Sequence, residues 1–479
     1  MMWDFGQFSG RVAAADEWGR TLYYEELEEE NRRFKEALGK RSLVFVLCSN
    51  TMGSLAGYTG CINGGSVPLL LARNLDEELL TGLLNLYRPD YLWVPEDLIY
   101  KFECMSARYK AFGYVLLETG YERGYGLYEE LCLLLTTSGS TGSPKLVRQS
   151  YGNVLSNARS IVRYLELDEG ERPIMTLPMN YTYGLSIINS HLLVGAEILL
   201  TDKGLMQKDF WTFFKRERAT SFGGVPYTYE MLEKLRFFRM DLPSLKTMTQ
   251  AGGKLQPELH RRFAEYAIEH GKRFYVMYGQ AEATARMSYL PYERSLEKYG
   301  SMGIAIPGGK FSIIDVDGKE IREPDRVGEL VYEGPNVTLG YGERGEDLSK
   351  GDERHGRLET GDMARRDEDG YYYIVGRKKR FLKIFGNRVN LDEIDRLVKT
   401  KFGNLDCVSS GRDDKMYCFI TEGALEEEVR KFLSHKTRLN VSAFRVRVIP
   451  EIPRNDSGKV LYQELNKYME EQGLEVNYG

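Results

Sequence analysis

The stretch Leu133–Val147, LLLTTSGSTGSPKLV, joins an apolar run to a loop of glycines, hydroxyl residues and one lysine. A continuous apolar run is typical of a strand that is buried on both faces of a parallel sheet. The small residues after it would let backbone N–H groups approach a polyphosphate, and Lys145 would add a positive charge. Glycine and serine also cluster in ordinary loops, but this composition directly after a buried strand predicts phosphate binding.

The spacing of this loop differs from that of the P-loop. In a P-loop the lysine directly follows a glycine and precedes Ser or Thr, whereas Lys145 follows Pro144 and precedes Leu146. The sequence therefore disfavours the mononucleotide kinase and GTPase folds.

Length and composition indicate an ordinary globular enzyme. A chain of 479 residues exceeds what one hydrophobic core usually supports, so we expect at least two structural units. Hydrophobic residues make up 42% and charged residues 28% of the chain, which is far from a disordered composition. The formal net charge of −5 gives no overall basic field, so we expect small-molecule partners, no nucleic acid and no membrane.

The cysteines and histidines do not form a metal-site pattern. The six cysteines include no C-x-x-C pair, which argues against a zinc site and a disulfide framework and predicts a reducing, cytoplasmic location. The five histidines lack metal-ligand spacing. The N-terminus does not resemble a signal peptide, and the apolar stretches are shorter than a membrane span.

The hydrophobic pattern divides the chain into three regions that differ in predicted secondary structure. From about residue 40 to 280, short apolar runs alternate with segments of helical period, which predicts parallel sheets covered by helices; a helix is also predicted at 25–38. FSIIDVDGKEI (311–321) and ARRDEDGYYYIVG (364–376) each carry an Asp-Gly pair, which predicts hairpins. After GRKKR (376–380) we expect a small α+β domain, with helices at 392–402 and 426–435 and strands at 416–421 and 444–450.

Six motifs follow one another along the chain: TTSGSTGSPK (136–145), TQAGGKL (249–255), YGQAEAT (278–284), ETGD (359–362), GRKKR (376–380) and PRNDSGK (453–459). In this order they resemble the AMP-forming adenylating superfamily, over essentially the whole chain. That superfamily includes acyl-CoA synthetases, adenylation domains of non-ribosomal peptide synthesis and beetle luciferases.

The resemblance implies an α/β fold with two domains. The large N-terminal AMP-binding domain, 1–377, would contain two stacked α/β sheet units and a small β-barrel. A small, mobile α+β domain, 378–479, would follow a hinge at 378–380. In the reaction that the resemblance implies, a carboxylate attacks the α-phosphate of ATP to give an acyl-adenylate and pyrophosphate, and a thiol then displaces AMP.

The resemblance also implies roles for individual residues in nucleotide binding. The phosphate loop would hold the β- and γ-phosphates, and it comprises Thr137, Ser138, Gly139, Ser140, Thr141, Gly142 and Lys145. Glu282, with Thr141, would help to hold Mg²⁺, although Ala281 stands where a threonine usually precedes this glutamate. The remaining nucleotide contacts would come from Gly252, Gly253, Tyr278, Gly279, Asp362 and Arg377, with Tyr278 against adenine and Asp362 and Arg377 on the ribose.

Three lysines are assigned by their position in the last two motifs. Lys459 would be the catalytic lysine that contacts the substrate carboxylate and the adenylate oxygens. Lys379 would be the hinge residue, and Lys383 aligns with a lysine that serves the second half-reaction in some members. Together with Glu282 and Lys145, Lys459 completes the predicted catalytic set.

The segment LPMNYTYGLS (177–186) bears on the acid. The predicted acyl pocket comprises Tyr181, Tyr183, Gly184, Gly223 and Gly224. Amino-acid-activating relatives often carry an aspartate that pairs with the substrate ammonium, and Gly184 occupies that place here. A buried ammonium without a partner would be costly, so we expect a fatty, hydroxy or aryl acid without an α-amino group.

Several alternatives stay open at this point. The acceptor thiol is CoA or the phosphopantetheine arm of a separate carrier protein, since Asn390-Leu391-Asp392 resembles carrier-loading members somewhat more than Pro-containing CoA ligases. Other readings are an amino-acid-activating stand-alone enzyme, an inactive nucleotide-binding member that acts through a partner, and a luciferase-like oxidative second half. The presence of Glu282, Asp362, Arg377 and Lys459 favours catalysis.

Overall fold

A computed structural model describes residues 2–136, 145–384, 387–403, 405–412, 414–454 and 460–471. Contacts divide the chain into two compact units. The first unit comprises Met1–Phe311 and Tyr332–Leu358, and the second comprises Ser312–Val331 and Glu359–Gly479. The predicted boundary after residue 377 and the hinge at 378–380 stay predictions.

The described β-strands, in chain order, are β1 (Val12–Asp16), β2 (Thr21–Tyr23), β3 (Leu43–Cys48), β4 (Val67–Ala72), β5 (Tyr91–Pro95), β6 (Ser106–Ala111), β7 (Tyr114–Glu118), β8 (Leu131–Thr136), β9 (Leu146–Ser150), β10 (Pro173–Ile174), β11 (Ile198–Leu200), β12 (Ser221–Gly224), β13 (Thr247–Gln250), β14 (Arg273–Tyr278), β15 (Ser288–Tyr289), β16 (Ile304–Ala305), β17 (Lys310–Ile314), β18 (Gly328–Glu333), β19 (Gly340–Gly342), β20 (Arg357–Arg366), β21 (Tyr372–Arg377), β22 (Phe381–Ile384), β23 (Asn387–Asn390), β24 (Cys407–Arg412), β25 (Lys415–Ile420) and β26 (Phe444–Val448).

The described α-helices are α1 (Tyr24–Leu38), α2 (Met52–Gly64), α3 (Glu77–Tyr87), α4 (Tyr151–Leu165), α5 (Thr182–Leu193), α6 (Lys208–Arg216), α7 (Pro226–Lys234), α8 (Pro257–Glu269), α9 (Leu391–Lys401), α10 (Glu426–Thr437) and α11 (Tyr462–Glu471). The helix predicted at 25–38 is confirmed as α1, whose acidic first turn and basic last turn complement the helix dipole. In the ranges given above, every helix is too short or too polar to traverse a lipid bilayer.

Two large sheets build the first unit. One has the order β16-β15-β14-β13-β12-β10-β11-β1-β2, and the other β19-β9-β8-β4-β3-β5-β7-β6. Strands β12, β13 and β14 run parallel, as do β3, β4 and β8. The fully buried β3 and nearly fully buried β8 explain the continuous apolar runs in the sequence. The predicted α/β architecture with parallel sheets is confirmed.

Some strands of these sheets pair antiparallel, whereas the sequence predicted parallel pairing. The run GYVLLE forms β7, which pairs antiparallel with both β5 and β6. Likewise β8 is parallel to β4 but antiparallel to β9, the strand that follows the glycine-rich loop. An apolar run is compatible with either direction, because the direction is set by the length of the connection rather than by the run itself.

The second unit contains a sheet of order β17-β18-β20-β21, a β22-β23 hairpin and a β24-β25-β26 sheet. The hairpin predicted in ARRDEDGYYYIVG is confirmed as β20 and β21. In FSIIDVDGKEI the chain also folds back, with an antiparallel bridge between Ile314 and Glu320 and hydrogen bonds from Asp315 N to Lys319 O and from Ile321 N to Ile313 O, but the returning segment is too short to form a strand. The helices and strands predicted after residue 390 are confirmed as α9, α10, β25 and β26.

Candidate functional site

The ends of three parallel strands bring together the glycines and the tyrosine that the sequence singled out. Strand β12 ends at Gly223-Gly224, β13 is followed by Gly252-Gly253, and β14 ends at Tyr278. Because the three strands are parallel and adjacent, their carboxyl ends lie at one edge of the sheet. This is the edge at which open α/β sheets bind ligands.

Two tyrosines of the predicted acyl pocket lie at this edge. Tyr183 is buried, and its hydroxyl shares a hydrogen bond of 2.8 Å with Thr249 Oγ1. A Cβ atom at Gly223 would stand 2.9 Å from Tyr183 Oη, and one at Gly252 would stand 2.5 Å from Tyr181 Oη. The two rings lie 6.4 Å apart, edge to face. Glycine is therefore required at 223 and 252 because each tyrosine approaches the backbone.

The other glycines of the set have packing roles. A Cβ atom at Gly184 would lie 2.4 Å from the Pro178 carbonyl oxygen, so no side chain fits at this position. At Gly224 it would meet the Thr228 side chain at 2.7 Å, and at Gly253 it would meet Pro226 at 3.0 Å. Residue 184 thus lies in close contact with the loop that precedes α5.

Glu282 belongs to a cluster of polar side chains that we call the Tyr341 cluster: Lys145, Glu282, Tyr341, Glu343 and Arg354. The Tyr341 hydroxyl donates a hydrogen bond of 2.6 Å to Glu282 Oε1. Lys145 Nζ lies 2.6 Å from Glu343 Oε1 and 5.7 Å from the centroid of the Tyr341 ring. The Arg354 guanidinium lies 4.7 Å from the same centroid and donates to the Glu282 carbonyl oxygen.

The electrostatics of the Tyr341 cluster keep the tyrosine protonated. Burial, together with the charge of Glu282, raises the pKa of Tyr341 to about 12. A protonated phenol can donate to a carboxylate, so one Glu282 oxygen is fixed in orientation. Two cations, Lys145 and Arg354, lie near the ring and would offset anionic charge at this place.

Strand pairing positions the cluster beside the first residues of β9. Tyr341 lies on β19, which pairs antiparallel with β9 so that Tyr341 faces Val147 across the ladder. Arg148, which is fully buried, donates to the carbonyl oxygens of Tyr341 and Leu339 and pairs with Glu353. Sequence reasoning did not identify Tyr341, Arg354 or Arg148, and the only available signal was the Gly-Tyr-Gly triplet at 340–342.

A strained turn follows Glu282. Thr284 and Ala285 both have positive φ, at 58° and 111°, a conformation that costs energy for non-glycine residues. A Cβ atom at Gly279 would lie 1.6 Å from the Ala285 carbonyl oxygen, so the turn needs glycine there. The turn carries the chain from Glu282 to Arg286, a buried arginine that sequence reasoning also missed.

In the second unit, the two predicted ribose contacts face each other. Asp362 on β20 is directly opposite Arg377 on β21, and Arg377 Nε lies 3.3 Å from Asp362 Oδ1. The Asp362 side chain is almost completely buried, whereas that of Arg377 is largely exposed. Asn390, the N-cap of α9, donates to the Val375 carbonyl oxygen and so fixes the end of the same hairpin.

Several predicted residues are not described. The loop residues Thr137 to Gly142 and the predicted catalytic Lys459 lie outside the described ranges. Lys379 lies in the short 3-10 helix Lys378–Arg380 and Lys383 lies in β22, but their side chains are also outside the described set. Their roles stay predictions.

The described residues fit a magnesium ion that is shared with a substrate. Among them, no group of three or more His, Cys, Asp or Glu side chains could hold a metal ion. Mg²⁺ at phosphoryl-transfer sites is commonly held by one or two carboxylates together with substrate phosphates. Glu282, oriented by Tyr341, is a suitable single protein carboxylate for such a site.

Comparison with known proteins gives relatives that cover between 68% and 90% of this chain. Oxalate–CoA ligase of Arabidopsis thaliana is 30% identical over 68% of this chain and 65% of its own length, so this chain spans slightly less than two thirds of that protein. A 2-succinylbenzoate–CoA ligase of Bacillus cereus is 29% identical over 89% of this chain and 88% of its own length.

Solved structures match the fold. The o-succinylbenzoate CoA synthetase of Bacillus subtilis in complex with AMP superposes with a TM-score of 0.78 at 22% identity, covering 96% of both chains. ATP-bound MatB of Rhodopseudomonas palustris gives a TM-score of 0.78 at 21% identity, covering 98% of this chain and 99% of that one. The family model described as "AMP-binding enzyme" matches residues 3–342. It confirms the resemblance drawn from the motifs, and this chain belongs to the AMP-binding enzyme family.

Proposed function

We propose that this chain is an ATP-dependent, AMP-forming acid–thiol ligase that converts a carboxylic acid to its CoA thioester. A carboxylate oxygen of the acid attacks the α-phosphorus of ATP, and pyrophosphate leaves with the electrons of the broken P–O bond. The thiol of CoA then attacks the acyl carbon, and AMP leaves. The observation that carries this proposal is the Tyr341 cluster, which places an oriented carboxylate and two cations beside the first residues of β9.

The residues of the cluster suit the first half-reaction. Glu282 would hold Mg²⁺ through the oxygen that Tyr341 leaves free, and the ion would neutralise charge on the phosphate oxygens. Lys145 lies directly before β9 and would contact the departing pyrophosphate. Stabilising charge on the leaving group is the main task in phosphoryl and nucleotidyl transfer. Lys459 would supply the remaining positive charge at the attacked phosphorus.

The test of this proposal is pyrophosphate release from the purified protein with a panel of carboxylic acids, measured with and without Mg²⁺. We expect release that requires both Mg²⁺ and one class of acid, and that falls about 10²- to 10⁴-fold in Lys459→Ala. Mass spectrometry should then detect the CoA thioester. ATP binding without pyrophosphate release for every acid would instead support the inactive, partner-binding alternative.

We propose further that the acid lacks an α-amino group. The place where amino-acid-activating relatives carry an aspartate is Gly184, and a side chain there would collide with the Pro178 carbonyl oxygen. A substrate ammonium would therefore lack that carboxylate partner. Pyrophosphate exchange that is fastest with a free α-amino acid would contradict this proposal. The relatives named above are ligases of oxalate and 2-succinylbenzoate by name, which supports an organic acid of this kind.

CoA is the acceptor that we propose, because the relatives are CoA ligases by name. In the Asn390-Leu391-Asp392 triplet, the Asn390 side chain accepts from the Asp392 N–H and caps α9, so this asparagine has a role in the fold whichever thiol is the acceptor. A phosphopantetheinylated carrier protein belongs in the same product screen, and faster acylation of the carrier than of CoA would reverse the assignment. We also propose a cytoplasmic location, because all six cysteines are free thiols.

A further inference from the structure

Arg286 is a buried arginine whose described contacts are all to uncharged groups. Its side chain is almost completely enclosed, since the residue is 2% exposed. Nε donates to Ser186 Oγ at 3.0 Å, and Nη1 donates to Tyr164 Oη at 3.1 Å and lies 3.5 Å from Met277 Sδ. The guanidinium carbon lies 5.1 Å from the centroid of the Tyr183 ring. Among the residues that the structure describes, no carboxylate pairs with it.

The titratable groups around Arg286 do not compensate its charge. Burial raises the pKa of Tyr183 and of Tyr164, so both phenols stay neutral. Burial is the main cause that lowers the pKa of His191 to about 4; the hydrogen bond to the Ile187 carbonyl oxygen opposes this shift, and the charge of Arg286 adds to it. The histidine is neutral as well. An arginine is protonated at every physiological pH, so the protein holds a full positive charge here without a negative partner.

A buried, uncompensated charge is costly, and it is normally paired with an anion. Nη2 of Arg286 donates no hydrogen bond to a described residue. The Tyr183 ring beside it belongs to the predicted acyl pocket and touches Gly223 and Thr249. The missing anion would therefore come from that pocket.

We propose that Arg286 binds a second carboxylate of the acid, so that the enzyme activates dicarboxylic acids. One carboxylate reacts with ATP, and the other pairs with the guanidinium next to Tyr183. This inference rests on the proposed ligase function, because it assigns the substrate class of the same site. Arg286 is then a specificity-determining residue that contacts the substrate and takes no part in the bond-making steps.

If Arg286 served only to stabilise the fold, its replacement would leave its hydrogen-bond partners unsatisfied and would impair folding. Its hydrogen-bond partners have other partners of their own: Ser186 Oγ donates to the Tyr183 carbonyl oxygen, and Tyr164 Oη donates to Met277 Sδ. Replacement by methionine, which has a similar length, would leave neither hydroxyl without a hydrogen bond. The variant Arg286→Met should therefore fold, and its defect should be confined to the choice of acid.

The experiment measures kcat/KM for pyrophosphate release with pairs of acids of equal carbon number: butanoate and succinate, pentanoate and glutarate, hexanoate and adipate, 2-methylbenzoate and phthalate. In the unaltered protein we expect a dicarboxylate to exceed its monocarboxylate partner by about 10²-fold or more. In Arg286→Met this preference should disappear, through a higher KM for the dicarboxylate and an unchanged KM for ATP. Arg286→Lys keeps the charge but cannot donate two parallel hydrogen bonds to one carboxylate, so it should retain part of the preference for dicarboxylates.

Arg159→Met, which removes an exposed arginine of α4 in the same unit, is the matched control and should not alter the preference. Equal or better turnover of the monocarboxylates by the unaltered protein would overturn the inference and leave the proposed ligase function standing. An equal loss with both members of a pair in Arg286→Met and Arg286→Lys would also overturn it. Absence of pyrophosphate release with every acid of both kinds would overturn the ligase function itself, and this inference with it.

Discussion

Arg148 and Arg286 are both buried in the first unit, but their surroundings differ in kind. Arg148 donates to the backbone carbonyl oxygens of Leu339, Tyr341 and Gly351, and it also pairs with Glu353. Arg286 is held by two hydroxyls, a thioether sulfur and an aromatic face. The first guanidinium is satisfied by the fold alone. The hydrogen-bonding and charge requirements of the second guanidinium are only partly satisfied, which is the arrangement expected when a ligand supplies the remaining partner.

The largest effect that distinguishes the two arginines should appear in stability. Arg148→Met would leave several buried carbonyl oxygens with fewer donors, so we expect it to lower the free energy of unfolding by about 3 kcal/mol. Arg286→Met would remove an uncompensated buried charge and leave no partner without a hydrogen bond. We expect that change to be within about 1 kcal/mol of zero, or stabilising. Urea unfolding of both variants measures the difference.

Thermal unfolding of the two variants at equal protein concentration is the control for a change in unfolding cooperativity. A loss of stability in Arg286→Met that equals the loss in Arg148→Met would show that both arginines are structural. The comparison between them would then fail, and so would the argument that Arg286 awaits a ligand.

The same contrast applies to two acidic residues of the Tyr341 cluster. Glu282 is oriented by Tyr341, whereas Glu343 is 60% exposed in its side chain and pairs only with Lys145 in the described contacts. Glu282→Gln should lower Mg²⁺-dependent pyrophosphate release by about 10²-fold, because a metal ligand and its charge are lost. Glu343→Gln should change the rate by less than about threefold, as expected for an exposed ion pair. Equal effects of the two changes would contradict the assignment of Glu282.

A smaller effect is expected from the residue that orients Glu282. Tyr341→Phe removes the hydrogen bond to Glu282 Oε1 and leaves the ring in place. A hydrogen bond to a charged group contributes about 1.5 kcal/mol or more, so the rate should fall about tenfold. The defect should appear as a higher requirement for Mg²⁺, measured by titrating the metal at saturating ATP. The pKa of Tyr341 is about 12, so the phenol of the unaltered protein stays protonated below that pH. Ionisation of Tyr341 should therefore cause no loss of activity in the unaltered protein between pH 7 and about 9.

The sequence predicted those features that depend on composition and local pattern. The alternation of apolar runs and helical segments predicts the α/β class because burial on two faces demands continuous apolar strands. The resemblance assigned Gly252 and Tyr278 to the nucleotide and Gly223 to the acyl pocket, and the structure places all three at the carboxyl ends of adjacent parallel strands. Hairpins such as the one that pairs Asp362 with Arg377 are predictable from their Asp-Gly turns.

Other features depend on distant pairings that no local pattern encodes. Tyr341 reaches Glu282 only because β19 joins the edge of a sheet next to β9, almost two hundred residues earlier in the chain. Arg286 is only four residues after Glu282, yet nothing in ATARM shows that its side chain is buried beside Tyr183. The Asp-Gly turn within 311–321 folds the chain back but is not followed by a full strand, so the turn residues do not determine the length of the pairing.

The smallest expected effect concerns His191, whose pKa depends in part on the charge of Arg286. Burial is the main cause that lowers the pKa of His191 from 6.5 to about 4, and the Arg286 charge contributes in the same direction. The folded protein thus holds a neutral ring that the unfolded chain would protonate. Its contribution to stability is complete above pH 6.5 and is lost progressively as the pH falls towards 4.

Arg286→Met should therefore raise the pKa of His191 and reduce this acid-induced loss, by less than about 1 kcal/mol at pH 5. NMR titration of the imidazole measures the pKa, and urea unfolding between pH 5 and 7 measures the free energy. His260, whose pKa burial alone lowers to about 4, serves as the internal reference and should titrate unchanged. If the pKa of His191 stays the same in Arg286→Met, then a counter-charge already neutralises the arginine, which would undo the contrast with Arg148.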